Sequence, residues 1–134
     1  MRNVLPFIAA AAVTLAAPAA GAASRYDADA ELQKALAGRV AGKPINCIPL
    51  SSVTGNTIVT GRAIIYRIGS RLYVNQPRGD GAKRLNRDDI LVTRTVGTDL
   101  CRLDVVQLLD RTSRIPRSFV SLGQFVPYTK PKAS

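Results

Sequence analysis

Ala63-Ile64-Ile65-Tyr66-Arg67-Ile68-Gly69-Ser70-Arg71-Leu72-Tyr73-Val74-Asn75 is the stretch that decides the fold. Two runs rich in β-branched and aromatic residues flank a Gly-Ser pair. That arrangement predicts a tight hairpin with a type II′ turn. A two-residue turn sets Ile68 opposite Arg71, Arg67 opposite Leu72, Tyr66 opposite Tyr73 and Ile65 opposite Val74. Side chains alternate across a strand, so Ile65, Val74 and Leu72 share one face, with Arg67 at its edge. The other face carries Tyr66 and Tyr73, framed by Arg62 and Arg71. The aliphatic face reads as core. The Arg/Tyr face suits two roles: cross-strand ring pairing that stabilises the sheet, or stacking and phosphate pairing with an anionic ligand. Arg62, Tyr66, Arg71 and Tyr73 are therefore the candidate anionic-ligand face.

Downstream, residues 76–87 read as a polar loop and 90–96 as a strand. Gly97-Thr98-Asp99 is a turn, and 100–103 the returning strand. Residues 105–109 fit a strand or a helical turn, the strand being preferred. Ser113-Arg114-Ile115-Pro116 is a turn, and 118–126 a last strand with Gly123 as a bulge. Residues 129–134 read as a flexible tail, with fraying from Pro127 onward. Upstream, Asn46-Cys47-Ile48-Pro49-Leu50 is a short extended piece that Pro49 keeps out of a central position, and Ile58-Val59 sit inside a Ser/Thr/Gly-rich run.

A helix is expected between Asp27 and Gly42. Asp27 caps it, Asp29 and Glu31 complement the macrodipole, and Leu32, Leu36 and Val40 form a thin apolar stripe. Gly42 and Pro44 end it. The stripe suits packing on a core better than lying on a membrane surface. The expected fold is thus mainly β within the α+β class. An N-terminal amphipathic helix (24–44) precedes a small antiparallel curled sheet or partly open barrel of five to six strands (45–128), all in one domain.

Arg2, the uncharged stretch from Val4 to Ala17 and the small residues Ala19-Ala20-Gly21-Ala22-Ala23 read as a secretory signal peptide over 1–23. Cleavage near Ala23 leaves a domain of about 110 residues, a usual domain size. A retained anchor needs about 20 apolar residues; this stretch is shorter and Ala-rich, and no later run is long enough to span. The expected location is periplasmic or secreted. Cys47 and Cys101, an even count in an oxidising compartment, read as one disulfide.

With 19 Lys and Arg against 9 Asp and Glu, the formal net charge is +10. Such a balance favours anionic partners: an anionic polymer, an envelope lipid or an acidic protein. The basic residues are spread along the chain without a Lys/Arg run, so no specific nucleic acid is expected. The chain has no His, which excludes a Ser-His-Asp triad, a Cys-His pair and a His-ligated zinc site. Asp88-Asp89 reads as a turn entering a strand rather than an acid/base pair, and Asp104 as a turn acid or an Arg partner. No cofactor is expected. The reading is a non-enzymatic binding or accessory protein. The alternatives are a small enzyme or inhibitor using Arg and Asp, and a structural accessory subunit.

Cys47-Ile48, Ile64-Ile65-Tyr66, Arg71-Leu72-Tyr73-Val74-Asn75, Asp89-Ile90-Leu91-Val92 and Leu100-Cys101-Arg102-Leu103-Asp104-Val105 follow one another along the chain. In that order it resembles a family of small exported bacterial proteins of unknown function, over about Ile45 to Tyr128. The family pattern is Cys followed by an aromatic or aliphatic residue, a hairpin with Tyr-x-Val, a polar loop and Leu-Cys-x-x-Asp-x-Val. Family members often carry further cysteines, where this chain has Arg78-Gly79-Asp80-Gly81 and Ser118-Phe119-Val120. The resemblance implies a small, exported, β-rich protein and no particular activity.

Overall fold

The Gly-Ser turn folds the decisive stretch back on itself in the expected register. Ile68 pairs with Arg71, Tyr66 with Tyr73 and Ile65 with Val74, and Gly69 takes a φ of +58°. This hairpin, β4 (Ala63–Ile68) and β5 (Arg71–Asn75), is the middle of the molecule. The computed structural model describes residues 10–14 and 26–132. The signal-peptide reading over 1–23 lies largely outside the described residues.

Among the described residues there is one α-helix, α1 (Ala28–Ala35), and ten short strands. The other strands are β1 (Val40–Ala41), β2 (Cys47–Pro49), β3 (Gly55–Val59), β6 (Ile90–Thr93) and β7 (Asp99–Cys101). They are followed by β8 (Val105–Leu109), β9 (Pro116–Ser121) and β10 (Phe125–Thr129). They form a five-stranded sheet in the order β1-β10-β5-β4-β3, a three-stranded sheet β6-β8-β9 and a two-stranded ribbon β2-β7. All pairings are antiparallel. The expected class holds, but the strands exceed the five or six foreseen, and the sheets do not close into a barrel.

The middle of the five-stranded sheet, β4 and β5, is buried on both faces. One face, with Val59, Ala63, Ile65, Leu72 and Val74, packs under Leu32 of α1. The other, with Ile58, Ile64, Tyr66, Tyr73 and Phe125, joins Val106, Leu108 and Val120 of the three-stranded sheet and Ile48 and Leu100 of the ribbon. Each such buried aliphatic or aromatic side chain contributes about 1.5–3 kcal/mol. Two-sided burial explains why β4 and β5 read as nearly continuous apolar runs.

The helix is shorter than the Asp27–Gly42 expected. Asp27 does cap it, accepting from the Ala30 amide at 3.1 Å. Gly38 (φ +75°) ends the turn region after it, and the chain re-extends so that exposed Val40 pairs with Thr129 in β1. Gly42 instead donates its N–H to the Pro127 carbonyl at 2.7 Å. The strand expected over 118–126 is two strands, β9 and β10, broken at Leu122-Gly123-Gln124. A Cβ at Gly123 would lie 2.4 Å from the Gln76 carbonyl oxygen. Buried Asn75 grips this break: its amide donates to the Gly123 carbonyl at 2.8 Å and its Oδ1 accepts the Gly123 N–H at 2.9 Å. The tail also begins later than Pro127, because β10 runs through Thr129. Residues 105–109 are a strand, and the polar loop holds a 3-10 turn, Gly81–Arg84, followed by core residue Leu85.

Candidate functional site

Tyr66 and Tyr73 are 2% and 9% exposed and belong to the core between the sheets. Tyr66 sets its ring edge-on to Phe125, with centroids 5.8 Å apart, and neither tyrosine ring is free to stack on a ligand. Burial drives the Tyr66 hydroxyl pKa up from its ordinary value, and that hydroxyl has no hydrogen-bond partner among the described residues. Arg62 leaves the Tyr face altogether: its Nε donates to Asp29 of α1 at 2.6 Å. Arg71 stands exposed beside the hairpin turn. The four candidates therefore share no surface. The face read as available is buried because the three-stranded sheet, which the hairpin alone does not reveal, covers it.

The remaining candidate groups have structural partners. Cys47 and Cys101 sit directly opposite each other in the β2-β7 ribbon and form the disulfide. Asp104 accepts the Cys101 N–H at 2.7 Å, as a turn acid does. Buried Asp89 is held by both Nε and Nη2 of Arg117, which also donates to the Arg84 carbonyl. The Asp89 hydrogen bond raises the Arg117 pKa above its ordinary value. A small polar cleft of about 240 Å³ lies beside this pair, lined by Glu31, Arg87, Asp89 and Arg111 among others. With Asp89 committed to Arg117, it offers no pair of free carboxylates. Among the described residues no three His, Cys, Asp or Glu side chains stand close enough to hold a metal ion.

One surface with the shape of a binding site is the outer face of the three-stranded sheet; a second groove of about 370 Å³ lies on the helix side of the central sheet, with Ile65, Leu72 and Arg67 in its lining. Leu91, Val106, Leu108 and Val120 point inward to the core. Their alternates face out, and the pairs Val92–Gln107 and Gln107–Phe119 form one row across the three strands. Val92, Arg94, Val105, Gln107 and Phe119 line a groove of about 400 Å³. Val105 is 52% and Phe119 54% exposed. Arg94 is the one charged residue in that lining, and no acid belongs to it. Sequence reasoning passed over this groove. The signal for it lies in the strand alternation: an outward row of Val105, Gln107 and Leu109, and an aromatic, Phe119, on the side of its strand that should be polar.

The β9 edge of this sheet is closed. Arg78 donates its N–H to the Ser121 carbonyl at 2.8 Å, and the Arg84 guanidinium donates to the Phe119 carbonyl at 3.2 Å. Both residues lie in or beside the 3-10 turn that flanks β9. No family model, curated protein or solved structure matches this chain. No described helix is long and apolar enough to cross a membrane, and the disulfide fits an extracellular or periplasmic location.

Proposed function

We propose that this chain is an exported, non-enzymatic binding protein whose outer β6-β8-β9 face takes an anionic amphiphile, a molecule with an apolar chain and a negatively charged head. One observation carries the reading: half-exposed Phe119 and Val105 lie beside Val92 in a groove whose single charged lining residue is Arg94. Apolar side chains at a protein surface favour an apolar guest. An acid-free wall with a guanidinium selects a negative head. A purely ionic polymer would leave Phe119 and Val105 in water, so the groove favours a lipid-like ligand over an anionic polymer. The +10 net charge raises the local concentration of anions around the molecule. The leader read over 1–23 and the disulfide both support a location outside the reducing cytoplasm.

The test is an NMR titration with lyso-phosphatidylglycerol below its micellar concentration, with lyso-phosphatidylcholine as the uncharged-head control. Amide shifts should concentrate in β6, β8 and β9, with the anionic head bound more tightly. Phe119→Ala should weaken binding by about tenfold, the loss expected when a half-buried aromatic contact is removed, while circular dichroism stays unchanged. Equal binding of both heads, shifts centred elsewhere, or an unaffected Phe119→Ala variant would each overturn the proposal.

A further inference from the structure

β6 ends the three-stranded sheet and β3 ends the central one, each with no strand beyond it. β3 has, in addition, a trench beside it. The groove of about 370 Å³ is lined by the unbroken run Thr54-Gly55-Asn56-Thr57, with Ala35 of α1 in the same lining. The polar cleft of about 240 Å³ takes up at Asn56 and continues through Thr57 and Ile58, with Glu31 of α1 beside them. Successive strand residues point to opposite faces, so a cleft touching four in a row runs along the strand's edge rather than over one face. Asn56 and Thr57 belong to both linings, which makes the two clefts one trench, and Glu31 and Ala35 supply its α1 side from successive helical turns. Asn56 and Thr57 are exposed, and β3 carries no Lys or Pro to blunt its edge. Among the described residues, no backbone group of residues 55–58 bonds outside the β3-β4 ladder.

We propose that the β3 edge takes an extended acidic peptide segment of a partner protein as an added strand, lodged between β3 and α1. Charge selects the occupant. Arg67 lies opposite Gly55 in the ladder and shares the helix side of the sheet with Leu72. Among the described residues its guanidinium makes no hydrogen bond or ion pair, and only its carbonyl is engaged, by Thr54. A Cβ at Gly55 meets nothing within 4 Å, so the space beside Arg67 is open, and no acid belongs to that part of the trench. Further along, Asp89 is neutralised by Arg117, which leaves Glu31 against Arg87 and Arg111. With Arg67 included, three cations face one uncommitted acid along the trench, and opposite-charge pairs are the favourable ones across a strand pair. Peptide residues opposite Gly55 and Ile58 are three apart and point to opposite faces, one toward Arg67 and the other toward the Arg87 and Arg111 end. The segment that fits therefore carries acids at i and i+3 between β-forming residues, held by main-chain pairing to the edge. The site rests on the β3 edge and stands whether or not the groove on the three-stranded sheet binds lipid.

An amide NMR titration of the disulfide-bonded protein with the peptide acetyl-Thr-Glu-Val-Thr-Glu-Val-Thr-amide tests this, with the Gln-for-Glu peptide as the uncharged control. Shifts should concentrate in residues 54–59 and around Ala35, with a dissociation constant on the order of 100 μM, as suits a short strand-addition site. Arg67→Gln should weaken binding about three- to fivefold, the usual range for one exposed ion pair. Gly55 has no positive φ and its Cβ position is empty, so Gly55→Val keeps the fold, fills the open space and should weaken binding about tenfold. Two further peptides, N-methylated at alternate residues in the two possible phases, test the main-chain pairing. One residue in two turns its N–H to the neighbouring strand, so one phase should lose about tenfold or more and the other bind like the parent to within about threefold. Circular dichroism controls for folding. No saturable shift up to about 2 mM peptide, shifts centred elsewhere, equal binding of the Gln peptide, an unaffected Gly55→Val variant, or two N-methylated peptides that bind alike would each overturn the proposal.

Discussion

At Tyr66 a single atom separates two readings of the molecule. A tyrosine on a binding surface uses its hydroxyl, whereas this one is buried without a partner. An unpaired buried hydroxyl costs free energy that its removal returns. Tyr66→Phe should therefore leave chemical-denaturation stability at neutral pH unchanged or raise it by up to about 1 kcal/mol. The same burial raises the hydroxyl pKa above its unfolded value of 10.0. The unfolded chain then releases this proton first, so stability is complete below pH 10 and declines as pH rises from there toward the folded pKa. Tyr66→Phe should flatten this alkaline decline, and a variant as steep as wild type would place the ring in water. The sequence marked Tyr66 and Tyr73 as a pair because register is local and follows from the turn. It left open whether the tyrosine face was covered as well, because that depends on strands well downstream, such as β8. Asn75 was equally illegible: its bond to Gly123 spans 48 residues.

Elements were legible where local chemistry decides them. The hairpin, the Asp27 cap, the strand at 105–109 and the turn before Pro116 all follow from neighbouring residues. The misread boundaries have tertiary causes. Val40 fits a helical stripe, yet pairing with Thr129 draws it into β1. Residues 118–126 look like one strand, yet Gly123 must pass the Gln76 carbonyl too closely for any side chain, and the strand breaks there. The β2-β7 ribbon depends on its cross-link more than any other element, having only three residue pairs. Its disulfide closes a sequence separation of 54, which corresponds to about 4 kcal/mol in the chain-entropy model. Replacing Cys47 and Cys101 together by Ser should lower unfolding free energy by about 2–5 kcal/mol. A loss below about 1 kcal/mol would mean that the ribbon is held by Ile48 and Leu100 alone. Mass analysis of the untreated protein from a bacterial periplasmic extract should show the two cysteines joined and, on the signal-peptide reading, a chain beginning near Ala23.

Across the whole molecule, the layers determine which surface is left for function. The helix occupies one face of the central sheet and the two smaller sheets occupy the other, so the Arg/Tyr face read from the hairpin is used up in folding. The back of the three-stranded sheet stays uncovered, with its groove and its open edge. The tyrosines of the candidate face thus lie one layer below the surface, in the core between the central sheet and the three-stranded one. The chain has no Trp, so Phe119→Trp places a single indole reporter in the groove without competing signal. Its fluorescence in the presence of lyso-phosphatidylglycerol and of lyso-phosphatidylcholine, at matched sub-micellar concentrations, reads directly whether an anionic amphiphile enters that groove. A saturable blue shift with the anionic lipid, at concentrations where the zwitterionic one leaves the emission unmoved, is the predicted result. An indole that stays water-exposed with both lipids, or shifts equally with both, would contradict it.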